Sequence, residues 1–284
     1  MSTLTDQQFL RYQKQICLDG WSEDIQAKLS ERTVLIIGCG GLGNAVALYL
    51  AASGVGHLVL VDDDEVELSN LPRQVAYCFD DLGVSKVDAL KEAIRQRNSD
   101  CQVRVVRRRM TYEQLMLEVT LADVVLDCSD NIATRHQVNR CCNRSEIPLI
   151  SGAAAGWDGQ FCAWDYQVDS SCYHCLYPDD TKVIADRCSS LGIVGPLVGI
   201  ISCYQSLACL NYLANEHFGF LSSTLYCFNG LSGEWSSFQI NRDPKCCVCG
   251  NLANGDVGDV GSVSLFDDEV SDGKASCFAN KEIV

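Results

Sequence analysis

Four glycines and one aspartate are the first residues of this chain whose types and spacing indicate chemistry. The glycines Gly38, Gly40, Gly41 and Gly43 lie in the segment GCGGLG, and Asp62 ends the next apolar run. In a strand–turn–helix unit, such glycines allow a tight turn, let backbone N–H groups approach a phosphate, and let helix and strand pack closely. An acid at the tip of the following strand can accept hydrogen bonds from both hydroxyls of a ribose. These residues predict a nucleotide site, and an unphosphorylated ribose suits both ATP and NAD.

The sequence around the glycines supports this interpretation over a turn that binds nothing. An apolar, β-branched run precedes the turn, an Ala-rich segment typical of a helix follows it, and residues 57–61 form a second apolar run. A glycine motif by itself is a weak signal, but this one has strand, turn, helix and second strand in order. We therefore favour nucleotide binding.

Two CxxC pairs form the second constellation. Cys172 and Cys175 make the first pair, and Cys246 and Cys249 make the second. Together they offer four thiolates, which is the closed tetrahedral set of structural zinc. A redox CxxC normally occurs once, after a strand and at the start of a helix. We therefore predict a zinc ion that joins a C-terminal hairpin to the sheet and has no open position for catalysis.

Composition limits the classes of protein to consider. The 284 residues are 47% hydrophobic and 21% charged, as in an ordinary soluble protein, and the net charge is -15. This acidic balance argues against nucleic-acid binding, which needs a positive surface. Residues 1–10 carry no export signal, and most of the 18 cysteines lie singly in apolar runs, where a thiol packs as a small hydrophobe. We expect a reducing, cytoplasmic location.

Strand and helix patterns alternate along the chain after a first surface helix within residues 4–21. The predicted strands are residues 34–37, 57–61, 101–106, 122–127 and 148–151, and the predicted helices are 86–97, 112–119 and 133–142. This alternation predicts an α/β, Rossmann-like fold whose largely parallel sheet has helices on both faces. Residues 160–167 alternate like an exposed strand, and residues 226–228 and 235–240 resemble a hairpin. We expect a C-terminal antiparallel extension.

Residues 191–215 carry no charge and are long enough to consider as a membrane span. Pro196 and recurring polar residues favour a buried or subunit-interface helix, so we expect no membrane association. We predict one domain over residues 1–250, with a nucleotide-binding part at about 30–150 and a zinc-stapled part at about 151–250. Residues 251–284 are rich in Gly, Asp and Ser and predict a flexible acidic tail.

Several motifs, in this order, resemble the ThiF/MoeB/HesA family, the bacterial relatives of ubiquitin-activating enzymes. They are GCGGLG with its aspartate, SNLPRQ, GVSK, LDCSDN, the two CxxC pairs and RCSSLGIVGP, and they extend the resemblance over residues 4–250. It implies homodimers that use ATP and magnesium to adenylate the C-terminal glycine of a ubiquitin-like sulfur carrier ending in Gly-Gly. It also implies a cysteine desulfurase or a sulfurtransferase as a further partner.

The resemblance assigns roles within the nucleotide pocket. It places Arg73 and Lys86 on the triphosphate, Asp130 on magnesium, and Asn70 and Gln74 along the pocket wall. These roles suit the chemistry, because a carboxylate attacks a polyanion only when fixed cations and a metal screen their repulsion. Considered singly, the arginine could pair on the surface, the lysine could be a solvated helix start, and the aspartate could cap the next helix.

Two further parts of the resemblance are specific to the activation of a carrier. Arg11 and Lys14 match a signature whose second basic residue reaches the ATP of the neighbouring subunit, and lysine lacks the bidentate geometry of the usual arginine. Pro72 also replaces a usual glutamine. In relatives of thiamine synthesis, the cysteine at Cys188 joins the carrier through a thioester-like or acyl-disulfide link, and Arg187 beside it could favour the thiolate. An inert thiol is the alternative.

The leading hypothesis is a ThiF-like adenylyltransferase that acts on a ThiS-like carrier for thiazole synthesis. A MoeB-like enzyme of molybdopterin synthesis shares nearly every motif. An NAD-dependent oxidoreductase is less favoured, because no histidine with a supporting acid is evident among the four histidines. A non-catalytic scaffold that holds ATP and a carrier, and a tRNA-modifying relative, are further alternatives.

Overall fold

Eight strands form one mixed sheet in the computed structural model, which describes residues 4–167, 169–178 and 192–250. The strands are β1 (Thr33–Ile37), β2 (His57–Val61), β3 (Gln102–Val106), β4 (Val124–Asp127), β5 (Leu149–Ala155), β6 (Asp158–Trp164), β7 (Thr224–Asn229) and β8 (Glu234–Gln239). Their order is β3-β2-β1-β4-β5-β6-β7-β8. Neighbours from β3 to β5 pair parallel, and neighbours from β5 to β8 pair antiparallel. The predicted parallel sheet with an antiparallel extension is confirmed.

Helices cover both faces of this sheet. They are α1 (Asp6–Ile16), α2 (Glu23–Leu29), α3 (Gly41–Ala52), α4 (Lys86–Arg97), α5 (Tyr112–Thr120), α6 (Ile132–Ser145), α7 (Tyr173–Leu176) and α8 (Gly195–Asn215). Side chains of β1 alternate between the faces: Val34 and Ile36 join the core under α3, α4 and α8, whereas Leu35 and Ile37 join the core under α5 and α6. This two-sided burial explains why β1, β2 and β4 are apolar at almost every position, whereas the edge strand β3 carries Gln102 and Arg104.

The strand order reverses direction between β1 and β4. From β1 the chain continues outward through β2 to β3, whereas β4 returns to the other side of β1 and pairs with it. We therefore expect a crevice between the loops that follow β1 and β4, at the carboxyl end of the sheet. In open α/β sheets this switch point is where ligands bind.

One prediction about the antiparallel part was wrong. Residues 160–167 alternate as an exposed strand would, but β6 lies between β5 and β7, and Phe161, Cys162 and Trp164 are buried. Packing of α8 on one face and of Tyr173 against Trp164 on the other covers both sides of the strand. The hairpin predicted from residues 226–228 and 235–240 is confirmed as β7 and β8.

Helix α8 is long and apolar enough to cross a membrane, but its polar side chains are bonded inside the protein. Ser202 Oγ donates to Leu42 O at 3.1 Å, and Gln205 Nε2 donates to Asp127 O at 3.3 Å. The helix packs on α3, β5 and β6 and buries the side that faces them, whereas Tyr204 and Leu207 are exposed, so the choice between a buried and a subunit-interface helix stays a prediction. The predicted tail, residues 251–284, lies outside the described residues.

Candidate active site

The turn after β1 has a backbone that requires glycine at two positions. Gly38 has a φ of 87°, and a Cβ there would lie 2.8 Å from Cys128 O in the loop after β4. A Cβ on Gly43 would lie 1.9 Å from Gly38 O, because helix α3 begins directly against the strand. Gly40 is the N-cap of α3 and has no side chain to occupy the first N–H groups of the helix. Those groups are available to a phosphate.

Asp62 is fixed beside this turn at the end of β2. Its Oδ2 accepts a hydrogen bond from Cys39 N at 2.6 Å, and its Oδ1 accepts one from Asp64 N at 2.9 Å. Burial raises the pKa of Asp62, although both hydrogen bonds and the charge of Lys86 lower it. Each carboxylate oxygen keeps a further lone pair, so the group can still accept bonds from two ribose hydroxyls.

Two residues that sequence reasoning missed connect the glycine turn to the loop at residues 73–77. Asn44 Nδ2 donates to Gly40 O at 2.6 Å, and Asn44 Oδ1 accepts from Ala76 N at 3.1 Å. Tyr77 OH donates to Cys39 O at 2.7 Å. The signal available in the sequence was a single asparagine within an otherwise apolar, Ala-rich helix. These bonds hold the loop that carries Arg73 and Gln74 against the turn.

Gln74 projects into this region with an unpaired acceptor. The side chain is 2% exposed, and its Oε1 has no hydrogen-bond partner among the described residues. Its Nε2 lies 3.8 Å from the position that a Cβ on Gly40 would occupy. Buried polar atoms are normally paired by protein, water or ligand, so this orphaned oxygen fits a pocket that receives a polar group.

Lys86 begins α4 and is almost enclosed, with a side chain only 8% exposed. Its Nζ lies 2.7 Å from Asp64 Oδ2, and its charge acts on Asp62. The alternative of a solvated lysine at a helix start is therefore wrong. Arg73 makes no ion pair among the described residues, and its Nη1 donates to Ser69 O at 2.8 Å. Asn70 is buried in the same loop, and its Oδ1 accepts from Glu67 N at 3.1 Å.

Asp130 lies in the loop between β4 and α6, at the other wall of the crevice. It is exposed, and its carboxylate makes no hydrogen bond or ion pair with any described residue. The following residue, Asn131, caps α6 through a bond from Thr134 N to Asn131 Oδ1 at 2.8 Å. The alternative that Asp130 serves as the helix cap is therefore wrong. A free carboxylate at this edge suits a hard cation such as Mg²⁺.

The four predicted cysteines lie together beside α7. Their Sγ atoms all lie within 4.8 Å of one another, with Cys172 to Cys246 at 3.7 Å and Cys175 to Cys249 at 3.3 Å. Zinc–sulfur bonds of about 2.3 Å in a tetrahedron separate the sulfurs by about 3.8 Å, so these thiols fit a zinc ion. Hydrogen bonds from Cys172 and Cys249 lower the pKa of Cys175 far below its usual value.

Backbone N–H groups also point at this cysteine set. Asp243 N donates to Cys175 Sγ and Val248 N donates to Cys246 Sγ, each at 3.4 Å. The spare cysteine within the second pair, Cys247, is exposed, and its Sγ instead lies 3.4 Å from His174 Nε2. The four-sulfur set and its N–H donors therefore resemble a structural site without an open position.

The remaining predicted residues are not brought to the crevice by contacts in this chain. Arg11 and Lys14 lie on the exposed side of α1, where Arg11 Nη1 donates to Arg97 O at 2.9 Å. No described contact joins either side chain to the glycine turn. Arg187 and Cys188 lie outside the described residues.

A glycine turn, an acid at the tip of the next strand and an enclosed lysine at the switch point define a Rossmann-type nucleotide enzyme, and the cysteine set is its C-terminal addition. The sequence model of the ThiF family matches residues 12–248, and this chain belongs to the ThiF family. The predicted resemblance is confirmed.

Three known proteins illustrate the similarity. The sulfur carrier protein ThiS adenylyltransferase of Escherichia coli (strain K12) is 41% identical over 247 residues, which cover 87% of this chain and 97% of that protein. The molybdopterin-synthase adenylyltransferase of the same strain is 35% identical over 253 residues, covering 88% of this chain and 100% of that protein. The crystal structure of Escherichia coli MccB with ATP matches with a TM-score of 0.69 and 27% identity, covering 80% of this chain and 69% of that chain.

Proposed function

We propose that this chain transfers the adenylyl group of ATP to the C-terminal glycine carboxylate of a ThiS-like sulfur carrier, for thiazole synthesis. The single observation that carries this proposal is the enclosed Lys86, which is ion-paired with Asp64 and whose charge acts on Asp62 next to the glycine turn. A fixed ammonium next to the ribose acid suits the triphosphate of ATP, whereas NAD needs no such cation. The 41% identity to an enzyme named for ThiS adenylylation supports the choice of carrier.

The positions of these groups support the following reaction. The ribose of ATP binds Asp62, and its phosphates approach the first N–H groups of α3 and the lysine of α4. The carrier carboxylate attacks the α-phosphorus, the bond to the β-phosphate oxygen breaks, and pyrophosphate leaves with its charge next to Lys86 and Arg73. A magnesium ion, which Asp130 would hold, neutralises phosphate charge when bound. Fixed positive charge lets the two anions meet.

A covalent step at Cys188 belongs to the same proposal. The thiolate attacks the acyl carbon of the adenylate, the bond from that carbon to the phosphate oxygen breaks, and AMP leaves while a thioester forms. A Cys188→Ala variant should keep ATP–pyrophosphate exchange but lose the carrier adduct, which intact-protein mass spectrometry would detect. An undiminished adduct in that variant would assign the linkage to another residue.

The proposal includes the oligomeric state of the enzyme, its zinc ion, its sulfur-supplying partner and its location in the cell. The exposed positions of Arg11 and Lys14 on α1 fit a homodimer in which a basic residue reaches the ATP of the neighbouring subunit. The four cysteines would hold zinc, and a cysteine desulfurase or sulfurtransferase would supply sulfur to the activated carrier. We place these steps in the cytoplasm, where free thiols stay reduced.

The alternative carrier is that of molybdopterin synthesis, because the 35% identical relative is named for that pathway. Exchange of labelled pyrophosphate into ATP should be measured with ThiS-like and molybdopterin-pathway carriers, and with each carrier lacking its terminal Gly-Gly as the control. We expect exchange with the intact ThiS-like carrier alone. Exchange only with the molybdopterin-pathway carrier would reassign the pathway, and no exchange with any carrier would refute adenylylation.

A further inference from the structure

Four residues beneath the Asp130 loop form a closed hydrogen-bonded ring inside the protein. Arg135 Nη1 donates to Ser151 Oγ at 3.0 Å, and Ser151 Oγ donates to Asp127 Oδ2 at 3.3 Å. Asp127 Oδ1 accepts from Ser129 N at 3.0 Å and from Ser129 Oγ at 2.6 Å. Arg135 Nη2 then donates to Ser129 O, which closes the ring.

The ring contains a buried carboxylate and a buried guanidinium. Asp127 is 1% exposed and Arg135 is 7% exposed, and the hydroxyl of Ser151 bridges the two. Burial, the largest single effect, lowers the pKa of Arg135, but Asp127 together with the smaller effects of Tyr173, Cys128 and Tyr177 raises that pKa above its usual value. Removing a bridge within such a network leaves buried charges without full hydrogen bonding, which is unfavourable.

The ring acts on the backbone on one side of Asp130. Arg135 holds the carbonyl of Ser129, the residue directly before Asp130, while Asn131 directly after it is held as the cap of α6. Arg135 Nη2 also donates to Gly152 O at 2.8 Å, which ties the same guanidinium to β5. The backbone of the loop is therefore fixed at both neighbours of Asp130, and the carboxylate of Asp130 makes no hydrogen bond or ion pair with another described residue.

We propose that Asp127, Arg135 and Ser151 are positioning residues that fix the Asp130 carboxylate where the ATP-bound Mg²⁺ needs it. They do not touch the reacting atoms and act through the backbone of the Asp130 loop. The inference rests on the proposed adenylylation. Groups that orient a metal ligand commonly change metal affinity or activity by 10–100-fold when removed.

The first test uses Ser151→Ala and needs neither ATP nor a carrier. Hydrogen–deuterium exchange is measured on the metal-free, nucleotide-free full chain, and the matched control is Ser206→Ala, which removes another buried, hydrogen-bonded serine hydroxyl from α8. We expect the amide of Ser129 to exchange about tenfold faster in Ser151→Ala and to be unchanged in the control. Unchanged protection in Ser151→Ala would overturn the proposal.

The second test measures the Mg²⁺ concentration that gives half-maximal pyrophosphate exchange. It should rise about tenfold in Ser151→Ala and stay constant in Ser206→Ala. A uniform loss of activity with an unchanged Mg²⁺ response would show a merely structural role and overturn the proposal. Ser129→Ala, which removes the 2.6 Å donor to Asp127, replaces Ser151→Ala if the latter does not fold. If the unaltered enzyme shows no exchange, adenylylation fails while the amide measurement still decides whether the ring holds the loop.

Discussion

Lys86 Nζ lies 2.7 Å from Asp64 Oδ2, and this ion pair joins an almost enclosed lysine to a carboxylate that is 62% exposed. An enclosed ammonium needs an anionic partner, whereas an exposed carboxylate can return to water at little cost. The pairing therefore suits an exchange in which triphosphate replaces Asp64 as the partner of Lys86. In the absence of nucleotide, Asp64 keeps the ammonium in place.

Replacing Lys86 tests whether this lysine acts on the triphosphate. We expect Lys86→Met to lower kcat of pyrophosphate exchange by about 10²–10³-fold, because it removes a fixed charge from the triphosphate. The control is Lys91→Met, which removes an exposed lysine from the same helix. Equal rates in the two variants would contradict the assignment of Lys86 to the phosphates.

Affinity for ATP should depend on pH through Asp62. Burial raises the pKa of this carboxyl, so it becomes protonated at a higher pH than an ordinary aspartate does. A protonated carboxyl accepts fewer hydrogen bonds from the ribose, and the Kd for ATP should therefore rise as pH falls through that higher range. Calorimetric titrations should show the same dependence in Asp63→Asn, an exposed neighbour, and no such dependence in Asp62→Asn.

The close approach of Gly43 to Gly38 O predicts the effect of a substitution on stability. In Gly43→Ala the new methyl group would lie 1.9 Å from Gly38 O, so the turn must shift. We expect a loss of about 1–3 kcal/mol in the free energy of unfolding, together with weaker ATP binding. Gly199→Ala is the control, because nothing lies within 4 Å of its added Cβ and alanine favours the helix by about 1 kcal/mol. Denaturant unfolding that ranks the two variants in the opposite order would refute the geometry of the turn.

The cysteine set predicts a metal requirement for stability. Cys246→Ser removes one of four converging sulfurs and should reduce the zinc content from about one ion per chain to nearly none, with a lower Tm. Cys247→Ser changes the adjacent thiol, which lies outside the set of four. This variant should keep the zinc content and the Tm of the unaltered protein. Atomic emission and thermal unfolding measure these quantities. Full zinc content in Cys246→Ser would show that the ion uses other ligands.

The sequence predicted the parts of the fold and site that depend on local pattern. The strand–turn–helix unit, the alternation of strands and helices, and the joining of the two CxxC pairs were all readable, because glycine spacing and apolar periodicity reflect backbone geometry directly. The burial of β6 was not readable, since Gln160 within it and Asp165 just after it give residues 160–167 an alternating pattern, and its two faces are covered by α8 and Tyr173, which are distant along the chain.

Partners brought together by the fold were also beyond the sequence. The pairing of Lys86 with Asp64 and the contact of Asn44 with the loop at Ala76 depend on the packing of distant segments. The ring beneath Asp130 joins residues of β4, α6 and β5, and no spacing along the chain indicates that they meet.

Helix α8 packs on α3, which begins at the glycine turn, and also on β5 and β6 in the antiparallel half. One helix thus contacts both the parallel and the antiparallel half of the sheet. We propose that neither part can melt while the other stays native, so calorimetry should record a single heat-absorption peak. A destabilising substitution in the distant β7–β8 hairpin would then reduce the fraction of molecules that are folded and able to bind nucleotide. The nucleotide affinity of the folded molecules would not change.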